Sequence, residues 1–178
     1  MRRISALLAV GLLLTGCNRP ASQAADSPID ARNPLEVAAR QRGVVQAEAS
    51  DPTGVFERRH ELGRDAMCVV PDGAGQWRFA LAAAFGSALS CRAEGRIARE
   101  GDGWRFTFAG VQDCSVLLHE EEDELRLPGM LPTQCDSLCA GRVSLAGLRL
   151  PRASWSAADA KSLRMRDEAG NMVRPCGG

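Results

Sequence analysis

Trp104-Arg105-Phe106-Thr107-Phe108 decides the fold class. Its three rings fall on every second residue with a polar side chain between them, the period of a strand that buries one face. A helix would scatter those rings around its axis. Gly101-Asp102-Gly103, just before it, reads as a turn. Further back, Leu89–Arg99, Gln76–Leu81 (Trp77 and Phe79 on one face) and Met67–Val70 repeat the texture. Further on, Cys114–His119 and Glu124–Leu127 flank an acidic turn, and Arg142–Leu150 is expected to be another strand. Gly73, Gly75, Gly86 and Pro128-Gly129 punctuate the series. Short strands separated by Gly and Pro turns predict an antiparallel sandwich or small barrel.

Helices are expected at both flanks. Asn33-Pro34-Leu35-Glu36 carries a cap, a first-turn proline and a Glu three residues after the cap, with Gly43 as the stop. Asp51-Pro52-Thr53-Gly54 is expected to open a second helix ending at Gly63. Val55, Phe56 and Leu62 would face the core there, and Arg58, Arg59 and His60 the solvent. Ser156-Ala157-Ala158-Asp159 predicts a capped short helix to about Ser162. Strands Leu163–Arg166 and Met172–Cys176 follow, joined through Ala169-Gly170-Asn171. The fold class expected is α+β: mainly antiparallel β, with one or two N-terminal helices and a short C-terminal helix.

The 178 residues suffice for one domain. Five Phe, three Trp and no Tyr leave the core to Leu, Val and Ala as well. The formal net charge is zero, and no basic block stands out. Binding to nucleic acid therefore has no electrostatic footprint, and no nucleic-acid partner is expected. Lys161 is the sole lysine beside 21 arginines, a bias read as codon usage.

Residues 1–17 have three parts in order. Arg2 and Arg3 are a positive start, and Ile4–Leu14 is an apolar run too short to span a bilayer. Leu14-Thr15-Gly16-Cys17 then places small residues before a cysteine. The whole resembles the signal and lipobox of a bacterial lipoprotein precursor. The resemblance implies a diacylglycerol on the Cys17 thiol, cleavage before Cys17 and acylation (palmitate, for example) of the new amine. It also implies a membrane-anchored protein of the cell envelope. Asn18 in place of Asp leans toward the outer membrane, facing the periplasm. Removal of residues 1–16 takes Arg2 and Arg3 away and leaves the mature chain near −2. The expected organisation is a signal peptide over 1–16, lipidated Cys17 with a flexible tether over 17–32, and one globular domain over 33–178. That domain would be helical over 33–63 and β-rich over 64–178.

Six cysteines remain: Cys68, Cys91, Cys114, Cys135, Cys139 and Cys176. An even number in an oxidising compartment predicts three disulfides among fifteen connectivities. The pairing expected from neighbouring strands is Cys68–Cys91, Cys114–Cys135 and Cys139–Cys176. Cys135 and Cys139 are spaced C-x₃-C with no second close pair, so neither a zinc site nor a redox pair is assigned.

No catalytic residue is assigned. His60 lies in a charged run, and His119 opens His-Glu-Glu-Glu-Asp-Glu, read as a solvated hairpin tip rather than a cation site. Ser144, in Gly141-Arg142-Val143-Ser144-Leu145-Ala146-Gly147, does not have the spacing of a nucleophile elbow and reads as a strand residue. Neither metal nor cofactor is expected, and the enzyme question leans to no. The function expected is a non-catalytic binding or inhibitory module, anchored to the membrane through Cys17 and directed at an envelope partner. The alternatives are a structural or assembly subunit of an envelope complex and a cell-wall-acting enzyme. A hollow barrel carrying a small ligand is a further candidate.

Overall fold

The computed structural model describes Pro34, Ala38 and residues 51–86, 89–121 and 123–178. Cys17, the expected tether and most of the expected first helix lie outside the described residues. Pro34 and Ala38 of that helix are both helical.

Trp104-Arg105-Phe106-Thr107-Phe108 forms most of β5 (Gly103–Phe108). Trp104, Phe106 and Phe108 are buried, while Thr107 is exposed. The same alternation builds β1 (Gly54–His60), β2 (Gly63–Pro71), β3 (Gln76–Ala84), β4 (Ser90–Glu100) and β6 (Ser115–Leu118). Three further strands complete the sheet: β7 (Glu120–Glu121), β8 (Glu124–Arg126) and β9 (Arg149–Ser154). The strand order is β6-β5-β4-β3-β2-β1-β9-β8-β7, every pairing antiparallel. Its two edge strands, β6 and β7, are consecutive in the chain with only His119 between them. The sheet thus curls until its edges meet in one kinked strand, giving a nearly closed up-and-down barrel. Closure removes most of the unpaired edge that an open sheet leaves.

Inward-facing rings and aliphatic chains fill the barrel. Phe56, Met67, Val69, Phe79, Leu81, Ile97, Trp104, Phe106, Phe108, Leu118 and Leu150 form one buried cluster. Trp77 packs edge-on against Trp104 with centroids 5.3 Å apart, and Phe79 meets Phe106 at 4.9 Å. Each such side chain contributes about 1.5–3 kcal/mol when fully removed from water. A filled interior argues against the hollow-carrier expectation.

Both faces of β2 are buried. Met67 and Val69 point into the barrel, whereas Ala66, Cys68 and Val70 belong to a second cluster with Val55, Ala80, Ala160, Met165 and Cys176. The C-terminal segment makes that outer layer. It contains α1 (Ala157–Ser162) and the two-stranded β10 (Met165–Arg166) and β11 (Met172–Val173). Ser156 caps α1 by accepting from the Asp159 amide at 3.2 Å. Arg78 on β3 donates to the Pro175 and Cys176 carbonyls, each at 3.0 Å, and holds the tail down.

The expected second helix is instead the β1–β2 hairpin. The cap signal was real but local: Asp51 Oδ1 accepts from the Thr53 amide at 2.8 Å, a turn that precedes a strand as readily as a helix. Val55 and Phe56 are both buried because they serve opposite faces, the outer layer and the barrel interior. Leu62, expected in the core, sits in the two-residue turn between His60 and Gly63 and is 56% exposed. Arg142–Leu150 is likewise not one strand. Only Arg149 and Leu150 of that stretch belong to β9, and Ser144 stands in a turn where its hydroxyl accepts from the Ala146 amide at 3.1 Å.

That long segment between β8 and β9 closes one end of the barrel. Its Leu145 and Leu148, with Leu127 before it, are buried in the interior cluster, and a 3₁₀ turn at Thr133–Cys135 lies within it. The disulfides fasten what is not barrel to what is. Cys91–Cys139 and Cys114–Cys135 tie this closing segment to the start of β4 and to the approach to β6. Cys68–Cys176 ties the tail to β2. Of the expected pairs only Cys114–Cys135 forms. Cys68 and Cys91 lie on β2 and β4, which β3 separates, and they belong to the outer and the interior cluster; Cys139 and Cys176 lie outside the strands and are likewise divided between the two clusters.

Candidate functional site

Alanines on the outer face of the sheet create a groove. Ala66 of β2 and Ala82 and Ala84 of β3 point outward beside the C-terminal hairpin, and their small side chains leave a trough of about 510 Å³. Leu62 from the β1–β2 turn, Leu89 ahead of β4 and Met172 of β11 stand around it. Leu62 is 56%, Leu89 50% and Met172 50% exposed. Val173, in the adjoining stretch of the same surface, is another of the five large exposed apolar side chains among the described residues, and Met130 is the fifth. Scattered apolar residues need no explanation, but three gathered at one concavity do.

Four arginines line the same groove: Arg64, Arg92, Arg164 and Arg166. Arg64 donates to Glu57 at 2.6 Å and to the Arg164 carbonyl at 3.3 Å. The hydrogen bond from the Arg64 guanidinium holds the Glu57 carboxyl below the usual carboxylate range against the opposing effect of burial, and the charges of Arg64 and Arg59 add to it. Arg92 donates to the Arg166 carbonyl at 2.6 Å and Arg166 to the Gly170 carbonyl at 3.0 Å. Carbonyl partners orient a guanidinium without neutralising it. Among the described lining residues there is no carboxylate, and Asp167 and Glu168 lie on the adjoining stretch. The backbone amide of Asn171 holds the Asp167 carboxyl below its usual value.

The histidines expected at the surface are placed as follows. His60 Nε2 lies 3.0 Å from Oδ1 of buried Asp65, although poorly aligned for a hydrogen bond. Asp65 also accepts from Arg58 at 2.8 Å and from the Ala84 amide at 2.9 Å, which ties β2 to the end of β3. His119 lies 3.8 Å from Asp102, both well exposed. The acidic run after it is not a free tip throughout: Glu120 turns inward to Arg152. Among the described residues no three potential metal ligands converge.

Sequence reasoning missed the arginine grouping at the groove. The groove arginines come from β2, β4 and the C-terminal segment, so no local block announced them. The alternation Arg164-Met165-Arg166 was the one local signal, with Met165 buried and both arginines exposed.

The fold and surface together define a small disulfide-fastened barrel with a filled interior and an externally placed, arginine-lined apolar groove. No protein-family model, curated protein or solved structure matches the chain.

Proposed function

We propose that the chain is a lipid-anchored envelope lipoprotein whose barrel is a non-catalytic binding module, and that it binds through the arginine-lined groove. The single observation that carries the binding reading is the meeting of four arginines with Leu62, Leu89 and Met172 at one concavity. Such exposed apolar surface costs solubility unless something covers it. The anchor and the outer-membrane location rest on Leu14-Thr15-Gly16-Cys17 and Asn18. Two or three acyl chains on one residue hold firmly where one holds reversibly.

Two measurements test this. In the expressing bacterium the parent chain should take up labelled palmitate and enter the detergent phase, and Cys17→Ser should do neither; a Cys17→Ser chain labelled like the parent would overturn the anchor. The oxidised protein, immobilised, should retain a defined envelope component that Leu62→Asp with Met172→Asp no longer retains. Equal retention by parent and variant would remove the groove from the function.

A further inference from the structure

We propose that the groove is a docking surface for an anionic phospholipid membrane, so that the barrel lies on the bilayer and does not merely hang from its tether. This deepens the binding-module reading and rests on it for the choice of surface. Three features favour a lipid surface.

The first is the mixture of chemistries. Leu62, Leu89 and Met172 are about half exposed and come from three separate turns or short strands around the groove. Arg64, Arg92, Arg164 and Arg166 line it with them. An interfacial site needs apolar side chains that enter the acyl boundary and cations that meet the headgroups at the same depth.

The second is the choice of cation. The planar guanidinium forks onto phosphate oxygens with two parallel hydrogen bonds, and it sheds water more readily than an ammonium. Arg164 is exposed, Arg166 donates to a carbonyl, and Arg92 donates to a carbonyl while its charge also acts on the nearby Asp167 carboxylate.

The third argues against an extended acidic peptide. The floor belongs to β2 and β3, interior strands of the sheet, and to the start of β4, which is paired with β3 alone until Gly95. The ladder occupies the backbone of β2 and most of β3 at the floor, and the open side of β4 before Gly95 offers strand addition only a short edge. The nearby hairpin of β10 and β11 has only two residues in each strand.

The test uses the full mature chain with Cys17→Ser, oxidised, so that no acyl chain takes part. Sedimentation is measured with vesicles of phosphatidylcholine alone and with phosphatidylglycerol added. The expected result is binding that needs phosphatidylglycerol and falls as salt rises. Each arginine replaced by alanine should weaken it roughly fivefold, the equivalent of about 1 kcal/mol per cation at a membrane surface. Arg164→Glu with Arg166→Glu should abolish it, as should Leu62→Asp with Met172→Asp. Arg149→Glu, on β9 outside the groove, should bind like the parent. Circular dichroism and thiol titration of each variant separate loss of binding from loss of fold. Absence of binding by a folded parent, or binding unchanged in the folded groove variants, would overturn the proposal. Displacement from the vesicles by poly-glutamate at low concentration, with direct binding of that polymer, would overturn it in favour of an acidic protein partner. Groove-dependent capture of an envelope protein together with no vesicle binding would sink the lipid proposal and leave the binding-module reading standing.

Discussion

Arg152 and Glu120 form an ion pair inside the barrel wall: Nε of Arg152 donates to Oε1 of Glu120 at 2.8 Å, and the arginine side chain is 1% exposed. The guanidinium lies between two rings, 4.3 Å from the centroid of Phe56 and 3.7 Å from that of Trp155. It also donates to the Thr53 carbonyl at 2.7 Å. Burial lowers the pKa of Arg152, and the hydrogen bond and charge of Glu120 oppose that effect. Phe56 and Arg152 are register partners at the irregular end of the β1–β9 pairing, and Glu120 belongs to β7, beyond the kink at His119. The pair thus joins the irregular end of the β1–β9 pairing to β7.

Removing one partner of this pair should therefore cost more than removing both. Glu120→Gln or Arg152→Ala is expected to lower stability by roughly 3–5 kcal/mol, because the remaining polar group stays buried without its partner. Glu120→Leu combined with Arg152→Met should cost less than either single change. Urea unfolding of the four proteins measures this; additive losses would show that the pair is not coupled.

Gly54 approaches the neighbouring strand too closely for a side chain. A Cβ there would stand 2.1 Å from the Ser154 carbonyl oxygen, and φ is +141°. Gly54→Ala should lose roughly 2–4 kcal/mol through overlap and backbone strain. A thermal midpoint within a degree of the parent's would contradict the β1–β9 contact.

The disulfides should fail independently. Peptide mapping without reductant should recover Cys68 with Cys176, Cys91 with Cys139 and Cys114 with Cys135. Loop-closure entropy scales with separation, so replacing Cys68 and Cys176, 108 residues apart, should cost about 5 kcal/mol. Replacing Cys114 and Cys135, 21 apart, should cost about 3 kcal/mol. The first change should also make the tail after α1 sensitive to limited proteolysis, because only hydrogen bonds from Arg64, Arg78 and Arg92 and the packing of Met165 then hold it. A tail as resistant as the parent's would mean that the outer layer is secured by packing.

The Glu57–Arg64 pair predicts a mild acid sensitivity at the groove. A carboxylate whose folded pKa is depressed contributes stability above its unfolded value, and the contribution disappears as pH falls through the folded value. The parent should exceed Glu57→Gln in stability at pH 6 by no more than about 1 kcal/mol, since the pair is partly exposed. That difference should shrink below the ordinary carboxylate value of 4.5 and vanish at lower pH. A difference independent of pH would exclude the ion pair as its source.

Much of the candidate site could not have been read along the chain. Leu62 looked like a core residue because a helix would have put it on one face with Val55, two turns back, and its exposure follows from a hairpin turn. Arg64, Arg92 and Arg166 are spread over about a hundred positions and gain meaning only where β2, β4 and the tail lie side by side. Glu120 looked like part of a solvated hairpin tip, and nothing local marked Arg152 as its buried partner.

Alternation by itself determined that this protein is built of antiparallel strands, because a period of two is written into consecutive residues. Ser156 likewise marked the start of α1 through a bond to the Asp159 amide three residues on, and the cysteine count implied three bridges. Local chemistry suffices where the interacting groups are neighbours in the chain. Tertiary structure alone decided that residues 54–60 extend in place of coiling, since Val55 and Phe56 need two different apolar layers to cover them. It also decided which cysteines meet and where four arginines gather. Those choices depend on which distant segments the closing barrel brings together, and burial rewards that arrangement only once the whole sheet has curled.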